Sequence, residues 1–570
     1  MNDTNQHTGS DNAHAEPAVH PTDNDSDVHP LTPQLQQLTE AFERGLKDSK
    51  KTGTPIHVDE IASRIAKFYE MVRKVVDWKE DNVLRRSAIE RSLKRTLFGK
   101  LSGVSINPHI DTYRVAFSIT ADLIRGGHLP NDEISQENVL IVETALKKYL
   151  YILEHAQFPS SEIIPLKQKF NFTTFVIELA SCEIEEILVN PVKEQVLLET
   201  MTDILSDRIH IIPEGSMTHD EKKTHVYIAT CRTLFDLDDH FILYELIKYT
   251  YPEWSNPSPD LLARFAIEIP KLWIESPNVL EHHISRQLHT IAERVDSIFM
   301  LIGDVMDKYK DSPHKLARVL SDKTQLTAAI TESYNRRFLS LKSRLMKLAI
   351  FSTLSVFLSN WVTFFIVEVP LASIFYEGFS FITAVVDFAI PTLVMLALVS
   401  IIRPPPAKNL DRVLRASYQF LYDDEKKKLY DVYVNKRKNK LFTVIMTTLY
   451  LITMMAVLWG VGFVFYIAKL PITSVIFDTL TIAITFFAAV LIRNKSKELS
   501  VDDQMSLSEF LLDMVSVPIA RIGSILANKW KEYNVIAILF TFLIETPMVV
   551  IFDFIENWSQ YIKERRSELH

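Results

Sequence analysis

The chain of 570 residues is long enough for two or three domains, and its formal net charge at pH 7 is −9. It holds only 13 glycines, about 2% of the residues against a usual level of about 7%, and it has no Asn-Gly dipeptide of the kind that closes β-hairpins. This composition predicts an all-α fold, and the modest acidic charge excludes a globally basic protein that binds nucleic acid.

The N-terminal 33 residues contain Asp, Asn, Thr, Pro and His but neither Lys nor Arg, and they show no apolar periodicity. Such a segment cannot bury enough apolar surface to fold, so we predict a disordered acidic tail over residues 1–33. The N-terminal segment does not show the basic start and apolar core of a signal peptide. We therefore expect the first membrane helix to direct insertion.

Residues 34–312 show helical apolar spacing divided by prolines, which predicts an irregular helical bundle in the cytoplasm. Cys182 and Cys231 lie in this part and are interpreted as buried apolar residues in a reducing compartment. One long helix is predicted over 219–249. Ser276 before Pro277 is typical of a helix start, with a capping residue ahead of the first-turn proline.

Five cations share one amphipathic stretch of this bundle: Arg85, Arg86, Arg91, Lys94 and Arg95. Two interpretations stay open. The cations form either a face that binds anionic headgroups or an acidic partner, or a solvated basic face.

A stalk helix is predicted over 313–347, leading into the first membrane span. No Pro or Gly interrupts the chain between Pro313 and Pro370, so this helix should continue without a break into the span. Movement of the soluble part would then reach the bilayer directly.

Four apolar segments follow, at 348–369, 379–402, 441–470 and 472–492. Each reaches the roughly 20 residues that a helix needs to cross about 30 Å of hydrocarbon. They predict two transmembrane hairpins, 348–402 and 441–493, joined by a cytoplasmic amphipathic linker over 403–440, most of it helical.

The cations decide the orientation. They cluster before the first segment, between the hairpins and after the fourth segment, whereas the hairpin tips carry only Glu368, Glu377 and Lys469. The positive-inside rule therefore places the N-terminal domain and the linker in the cytoplasm. The apolar segments would lie in a plasma or inner membrane.

The sequences of the two hairpins resemble each other when one is shifted by 90 residues. Identical residues then align, such as Thr363 with Thr453 and Ile402-Arg403 with Ile492-Arg493. A repeat in the same orientation implies a twofold axis along the membrane normal. Chance similarity between two hydrophobic hairpins is the alternative.

Residues 494–570 are predicted to be cytoplasmic or interfacial. The apolar stretch 535–555 within them is interrupted by Glu545, Pro547 and Asp553. Spanning would put three later cations outside, against the positive-inside bias, so we favour a re-entrant or membrane-surface segment over a fifth span.

Three acids are candidate functional residues because of their apolar surroundings: Asp387, Asp478 and Glu545. A charged group inside a bilayer is costly unless it is paired or hydrated, so these acids indicate either an ion or proton path or hydrogen bonds between helices. The group Glu281, His282, His283, His289 and Glu293 lacks the histidine spacing of a metalloprotease. We therefore predict no metal site, no cofactor and no catalytic residue.

The leading hypothesis is a non-enzymatic membrane anchor or scaffold that presents the cytoplasmic helical domain to a protein partner. Its partners would be the lipid bilayer and a protein, with no nucleic acid, and self-association is plausible because four spans make a narrow bundle. The alternative is a transporter or channel-like protein that uses the intramembrane acids.

Overall fold

The computed structural model describes residues 29–48, 53–56, 81–98, 110–130, 132–158, 166–370, 374, 381–422, 429–434, 440–467, 472–501, 507–533, 558, 561–562 and 565. It is about 81% helical with almost no sheet. The prediction of an all-α chain is therefore confirmed. Residues 1–28 of the predicted tail and all of 535–555 lie outside the described residues.

The N-terminal part forms what we call the helical body, which ends halfway along a long helix, α13. Its helices and strand are α1 (Pro33–Asp48), α2 (Asp81–Phe98), α3 (Thr112–Arg125), α4 (Gln136–His155), α5 (Leu166–Val189), α6 (Val192–Arg208), β1 (Ile209–Ile212), α7 (His219–Leu234), α8 (Asp239–Thr250), α9 (Pro259–Leu280), α10 (Ser285–Glu293), α11 (Asp296–Lys308) and α12 (Leu316–Ser321).

The second half of α13 and the later helices form the apolar bundle, with α15 and β2 between its two hairpins. The elements are α13 (Lys323–Thr363), α14 (Phe381–Ile401), α15 (Asn409–Leu421), β2 (Tyr430–Tyr433), α16 (Lys440–Ile467), α17 (Ile472–Ser496) and α18 (Leu507–Tyr533).

The single helix predicted over 219–249 is in fact two helices. Asp236 adopts a left-handed backbone with φ of 48°, which ends the α-helical path. Asp238 then caps α8, because its side chain accepts a hydrogen bond from the backbone N–H of Phe241 at 3.0 Å. Local capping chemistry therefore outweighs the helical apolar spacing.

The helix start predicted at Ser276-Pro277 is wrong, because both residues lie inside α9. Pro277 has no N–H to offer the carbonyl of Trp273 one turn earlier. The Ser276 hydroxyl donates to that carbonyl instead, at 2.9 Å. The serine replaces a donor within the helix and does not cap a new one.

The core of the body includes one fully enclosed group of charged and aromatic side chains. Lys148 Nζ lies 2.6 Å from Glu183 Oε1 and donates to the carbonyl of Trp254 at 2.7 Å. The other oxygen of Glu183 accepts from Tyr149 and from the Trp254 indole, at 2.9 and 3.1 Å. Burial raises the pKa of Glu183 while Lys148 opposes the rise. Every polar atom of this group has a partner, as buried charges require.

Helix α13 passes from the body into the bundle. It begins at Lys323, ten residues after the predicted stalk start, because Asp322 caps it by accepting from the N–H groups of Thr324 and Gln325. Its 41 residues span about 60 Å. The first half buries residues such as Leu326 and Ile330. The second half exposes apolar side chains, and the helix then continues as a π-helical turn over Phe364–Glu368.

Helices α13, α14 and α17 pack against one another, and α16 packs on α17 and α18. Helix α18 runs antiparallel to α17. Arg493 pairs with Asp513, and Gly523 touches the backbone of Ala483 so closely that a Cβ would collide with its carbonyl oxygen. This ion pair and this glycine hold α18 against α17, and the cytoplasmic or interfacial placement of 494–570 stays a prediction.

Candidate coupling site between the helical body and the apolar bundle

A two-stranded parallel ribbon connects the body to the segment between the hairpins. Strand β1 follows α6 in the body and pairs with β2 in register from Ile209 with Tyr430 to Ile212 with Tyr433. Among its described residues, the predicted amphipathic linker 403–440 is thus helical only over α15 and at Lys440, where α16 begins. The body holds the second part of the linker through backbone hydrogen bonds.

Arg208, one residue before β1, holds the end of α15. Its Nη2 donates to the carbonyl of Gln419 at 2.6 Å, and its guanidinium lies 4.0 Å from the centre of the Phe420 ring. A cation over an aromatic face in a buried place contributes about 1–2 kcal/mol. The body therefore grips the linker with a side chain as well as a strand.

Residues 29–32, assigned to the disordered tail by composition, are held at the same place. Leu31 is buried and forms a β-bridge with Tyr422, and the N–H of Thr32 donates to the carbonyl of Leu421 at 3.1 Å. A single apolar residue gives no periodic signal, so the sequence did not reveal this contact.

Helix α10 adds a fourth contact to the linker. The Gln287 side-chain amide donates to the carbonyl of Tyr433 at 2.9 Å and accepts from the N–H of the same residue at 3.3 Å. These two hydrogen bonds satisfy the backbone groups of Tyr433 on the edge of β2 that faces away from β1. The linker is consequently bound by the N-terminal segment, Arg208, β1 and α10.

Asn409 joins the bases of both hairpins to the long helix, and we call this place the junction. Its buried side-chain amide donates to the hydroxyl of Tyr334 on α13 at 3.1 Å and to the carbonyl of Leu499 after α17 at 2.6 Å. Beside it, Arg344 donates to both carboxylate oxygens of Glu498, at 2.9 and 3.0 Å. Residues 409 and 499 are separated by the 90 residues of the proposed repeat.

Of the three predicted intramembrane acids, only Asp478 has a described side chain. It is completely buried within α17. Asp387 belongs to α14, but its side chain is outside the described part, and so is the whole of Glu545. An ion path through all three acids remains a prediction.

Two further polar residues near the end of α13, Asn360 and Glu368, are buried, with 2% and 0% of their surface exposed. Glu368 was assigned to a hairpin tip. Phe364, halfway between them, is also buried, so the three share the face of α13 that is turned inward. Spacing by four residues was the available signal.

The predicted basic face of α2 contacts acids within the body. Arg85 pairs with Glu185 at 3.1 Å, and the buried Arg86 pairs with Asp238. In the same way, Lys94 pairs with Glu90 and Arg95 with Asp122, while Arg91 is partly exposed. These ion pairs reduce the positive charge that a partner would meet, so binding by this face remains a prediction.

The histidines of the metal-like group lie in a different arrangement from the one expected. His282 stacks on His225 of α7 with ring centres 4.4 Å apart, and His283 lies 4.0 Å from His282. His289 pairs with Glu293 on α10. Burial, helped by the neighbouring imidazoles, lowers the pKa of His225 to about 4. Among the described residues no group of three or more such side chains has metal-binding geometry.

Comparison of the chain with protein-family models, curated proteins and solved structures finds no match in any of the three. The class of the protein is therefore stated from its own structure alone. It is an all-α protein with three helices long and apolar enough to cross a membrane among its described residues, at Lys323–Ile366, Val444–Val464 and Val475–Ser496. A shorter apolar helix covers Ala389–Ile401.

Proposed function

We propose that the chain is a multi-pass membrane protein that anchors a cytoplasmic helical interaction domain and acts as a scaffold or coupling factor without enzymatic activity. The observation that carries this proposal is the grip of the helical body on the linker and on both hairpin bases. Two tandem transmembrane hairpins, 348–402 and 441–493, are part of the proposal.

The exposed apolar surface of the bundle supports membrane insertion. On α16, Leu441, Ile452 and Trp459 are exposed by 69%, 60% and 70%. Soluble proteins rarely expose a largely apolar face of this length. After Lys440 the helix contains no charged residue, so hydrocarbon could cover it without burying a charge. The cations at the hairpin bases support a cytoplasmic body by the positive-inside rule.

The contacts at the junction support coupling. The body holds α13 through shared core packing and the linker through β1 and Arg208, and Asn409 of the linker in turn holds the base of the second hairpin. A displacement of the body caused by a bound protein would therefore reach both hairpins together. Self-association through the narrow bundle is compatible with this arrangement.

Membrane insertion and sidedness can be tested with single cysteines. The background chain carries Cys182→Ala and Cys231→Ala. Lys408→Cys, Lys495→Cys and Lys469→Cys are then introduced one at a time, and sealed cells are treated with a maleimide that does not cross the membrane. We expect labelling only at Lys469 in the second hairpin tip. Labelling of all three, or a full-length protein that stays soluble without detergent, would contradict the proposal.

The partner can be sought by crosslinking the body in its native membrane, with the Arg208→Ala variant as a second sample. A partner that binds the body alone would be captured from both. A partner whose binding depends on the attached linker would be lost from the variant. Recovery of no protein in repeated experiments would count against the scaffold function.

The transporter hypothesis is supported by one observation, the complete burial of Asp478 in α17. Asp478→Asn should abolish proton- or cation-coupled flux in proteoliposomes if this hypothesis is correct. Asp411→Asn, at an exposed position of α15, is the matched control. Absence of flux in the unmodified protein would leave the scaffold as the better proposal.

A further inference from the structure

Six exposed cations surround the bases of the hairpins, and we call them the collar. They come from three parts of the chain: Lys342 and Lys347 on α13, Arg403, Lys408 and Arg412 around the start of α15, and Lys495 at the end of α17. None of the six makes an ion pair with another described residue. Many cations of the body, such as Arg86 and Lys148, are paired.

The junction brings these three parts to one level. Arg344 binds Glu498, and Asn409 binds Leu499. Each collar cation lies within six residues of one of these four positions. Five of them lie within three residues, and Arg403 precedes Asn409 by six residues in a non-helical segment.

The acids near the collar do not balance its charge. The segments 342–347, 401–412 and 493–498 contain two acids, Asp411 and Glu498. Glu498 already binds Arg344 at both carboxylate oxygens. The collar therefore keeps an excess of positive charge that is available to an external anion.

The surface beside the collar is apolar. Met346, Ile350 and Phe351 on α13 are each 59% exposed, Ile401 at the end of α14 is 54% exposed, and Leu491 on α17 is 49% exposed. Cations at the edge of an exposed apolar surface match the depth of lipid phosphates next to hydrocarbon. An acidic protein would match the charge but not the adjacent apolar surface.

We propose that the collar is a binding surface for the phosphate headgroups of anionic lipids. Lysine and arginine donate charge-assisted hydrogen bonds to phosphate oxygens, and arginine can do so at two points. This inference rests on the proposed membrane insertion. It adds a preference for anionic over neutral lipids.

The test uses the full chain in nanodiscs of phosphatidylcholine with a minority of phosphatidylglycerol. After gentle extraction, the lipid that stays with the protein is measured. We expect phosphatidylglycerol to be enriched by about threefold or more over the starting mixture, with the enrichment falling as salt rises. Equal retention of both lipids would overturn the proposal.

A variant that lacks four of the six collar charges should lose most of this enrichment: Lys342→Gln, Arg403→Gln, Arg412→Gln and Lys495→Gln combined. The matched control removes the same charge from exposed positions of the body: Arg114→Gln, Arg264→Gln, Lys271→Gln and Lys310→Gln. Enrichment that persists in the collar variant, or that is lost equally in the control, would overturn the proposal.

Failure of the proposed function gives a different result. A protein that does not enter nanodiscs at all contradicts membrane insertion, whereas one that enters without selecting phosphatidylglycerol contradicts the collar alone. If the collar variant does not fold, the salt dependence of enrichment in the unmodified protein decides, since screening weakens exposed charges without changing the fold.

Discussion

Leu140 in the helical body and Ile452 in the apolar bundle are exposed by 51% and 60%, yet their neighbours differ. On α4, the exposed positions around Leu140 include Glu137, Thr144 and Lys147. On α16, the exposed positions around Ile452 are Thr448, Leu449, Tyr450, Leu451, Met455 and Ala456, and none of them carries a charge. A single exposed apolar residue is normal in water, whereas a long helix whose exposed surface is mostly apolar and uncharged is typical of a lipid environment.

Buried charge separates the two regions in the same way. The body encloses Lys148 and Glu183 with partners for every polar atom. The bundle encloses few charges among its described residues, and the cations of α13, α16 and α17 lie at the junction end of these helices. The body is therefore stabilised by contacts within the chain, and the bundle depends on the medium around it.

The largest expected effect is in the body. Lys148→Met should reduce the free energy of unfolding by about 3–5 kcal/mol, because it leaves the Glu183 carboxylate buried without its cation. Lys147→Met is the control, since Lys147 is exposed and pairs only with Glu143 one turn away. It should cost less than about 0.5 kcal/mol. Tryptophan fluorescence during denaturant unfolding of the full chain, in which Trp254 packs beside Lys148, measures both. Equal losses would contradict the enclosed ion pair.

A charge on the bundle surface tests the other side of the comparison. Ile452→Lys should cost about 2.5–3.5 kcal/mol of insertion free energy, because the ammonium enters hydrocarbon. Leu140→Lys should change stability by less than about 0.5 kcal/mol. The fraction of protein that resists alkaline extraction from membranes reports the first, and thermal unfolding the second. If Ile452→Lys leaves extraction unchanged, α16 does not face lipid.

The junction between the regions should respond at an intermediate level. Asn409→Ala removes the donor to Tyr334 and Leu499 and leaves the buried Leu499 carbonyl without that hydrogen bond, at a cost of about 1–3 kcal/mol. Asn494→Ala, at an exposed position on α17, is the control and should be neutral. The melting temperature and the protease sensitivity of the linker report the change. An unaltered linker would show that the other contacts suffice.

The smallest effect concerns pH in the body. The pKa of His225 is lowered to about 4, so between pH 6.5 and 4 the unfolded chain binds the proton and the folded chain does not. Stability is therefore lost as pH falls through this window. For a half-buried ring we expect about 1–2 kcal/mol after allowance for screening.

His225→Phe keeps the stack on His282 and should remove this part of the pH dependence, as measured by unfolding at several pH values. His219→Phe, exposed on the same helix, should keep the dependence of the unmodified protein. The same pH slope in all three proteins would mean that His225 does not titrate in this window.

Much of the architecture could be predicted from the sequence. Scarce glycine predicts helices, and the apolar segments predict the bundle because their length is set by hydrocarbon thickness. The uninterrupted run before Pro370 predicts that α13 continues into the bundle. These signals are local, and each is carried by many residues at once.

The coupling site could not be predicted because its contacts join distant parts of the chain. Ile209 and Tyr430 pair across 220 residues in a four-residue ribbon, which is too short for a periodic signal. Asn409 reads as an ordinary surface residue until Tyr334 and Leu499 are placed around it. The role of Ser276 could not be predicted either. A serine before a proline can cap the start of a helix, or it can donate to a free carbonyl within one.

The alignment of α18 with α17 has a consequence for what surrounds the protein. The contacts of Asp513 and Gly523 set Arg521 level with Thr485, about 12 Å inward from Arg493. Arg521 is exposed at that depth. In the proposed orientation, a guanidinium there would cost several kcal/mol against lipid tails. That flank of the molecule must therefore border water or another polypeptide, which gives the bundle one side chemically unlike the rest.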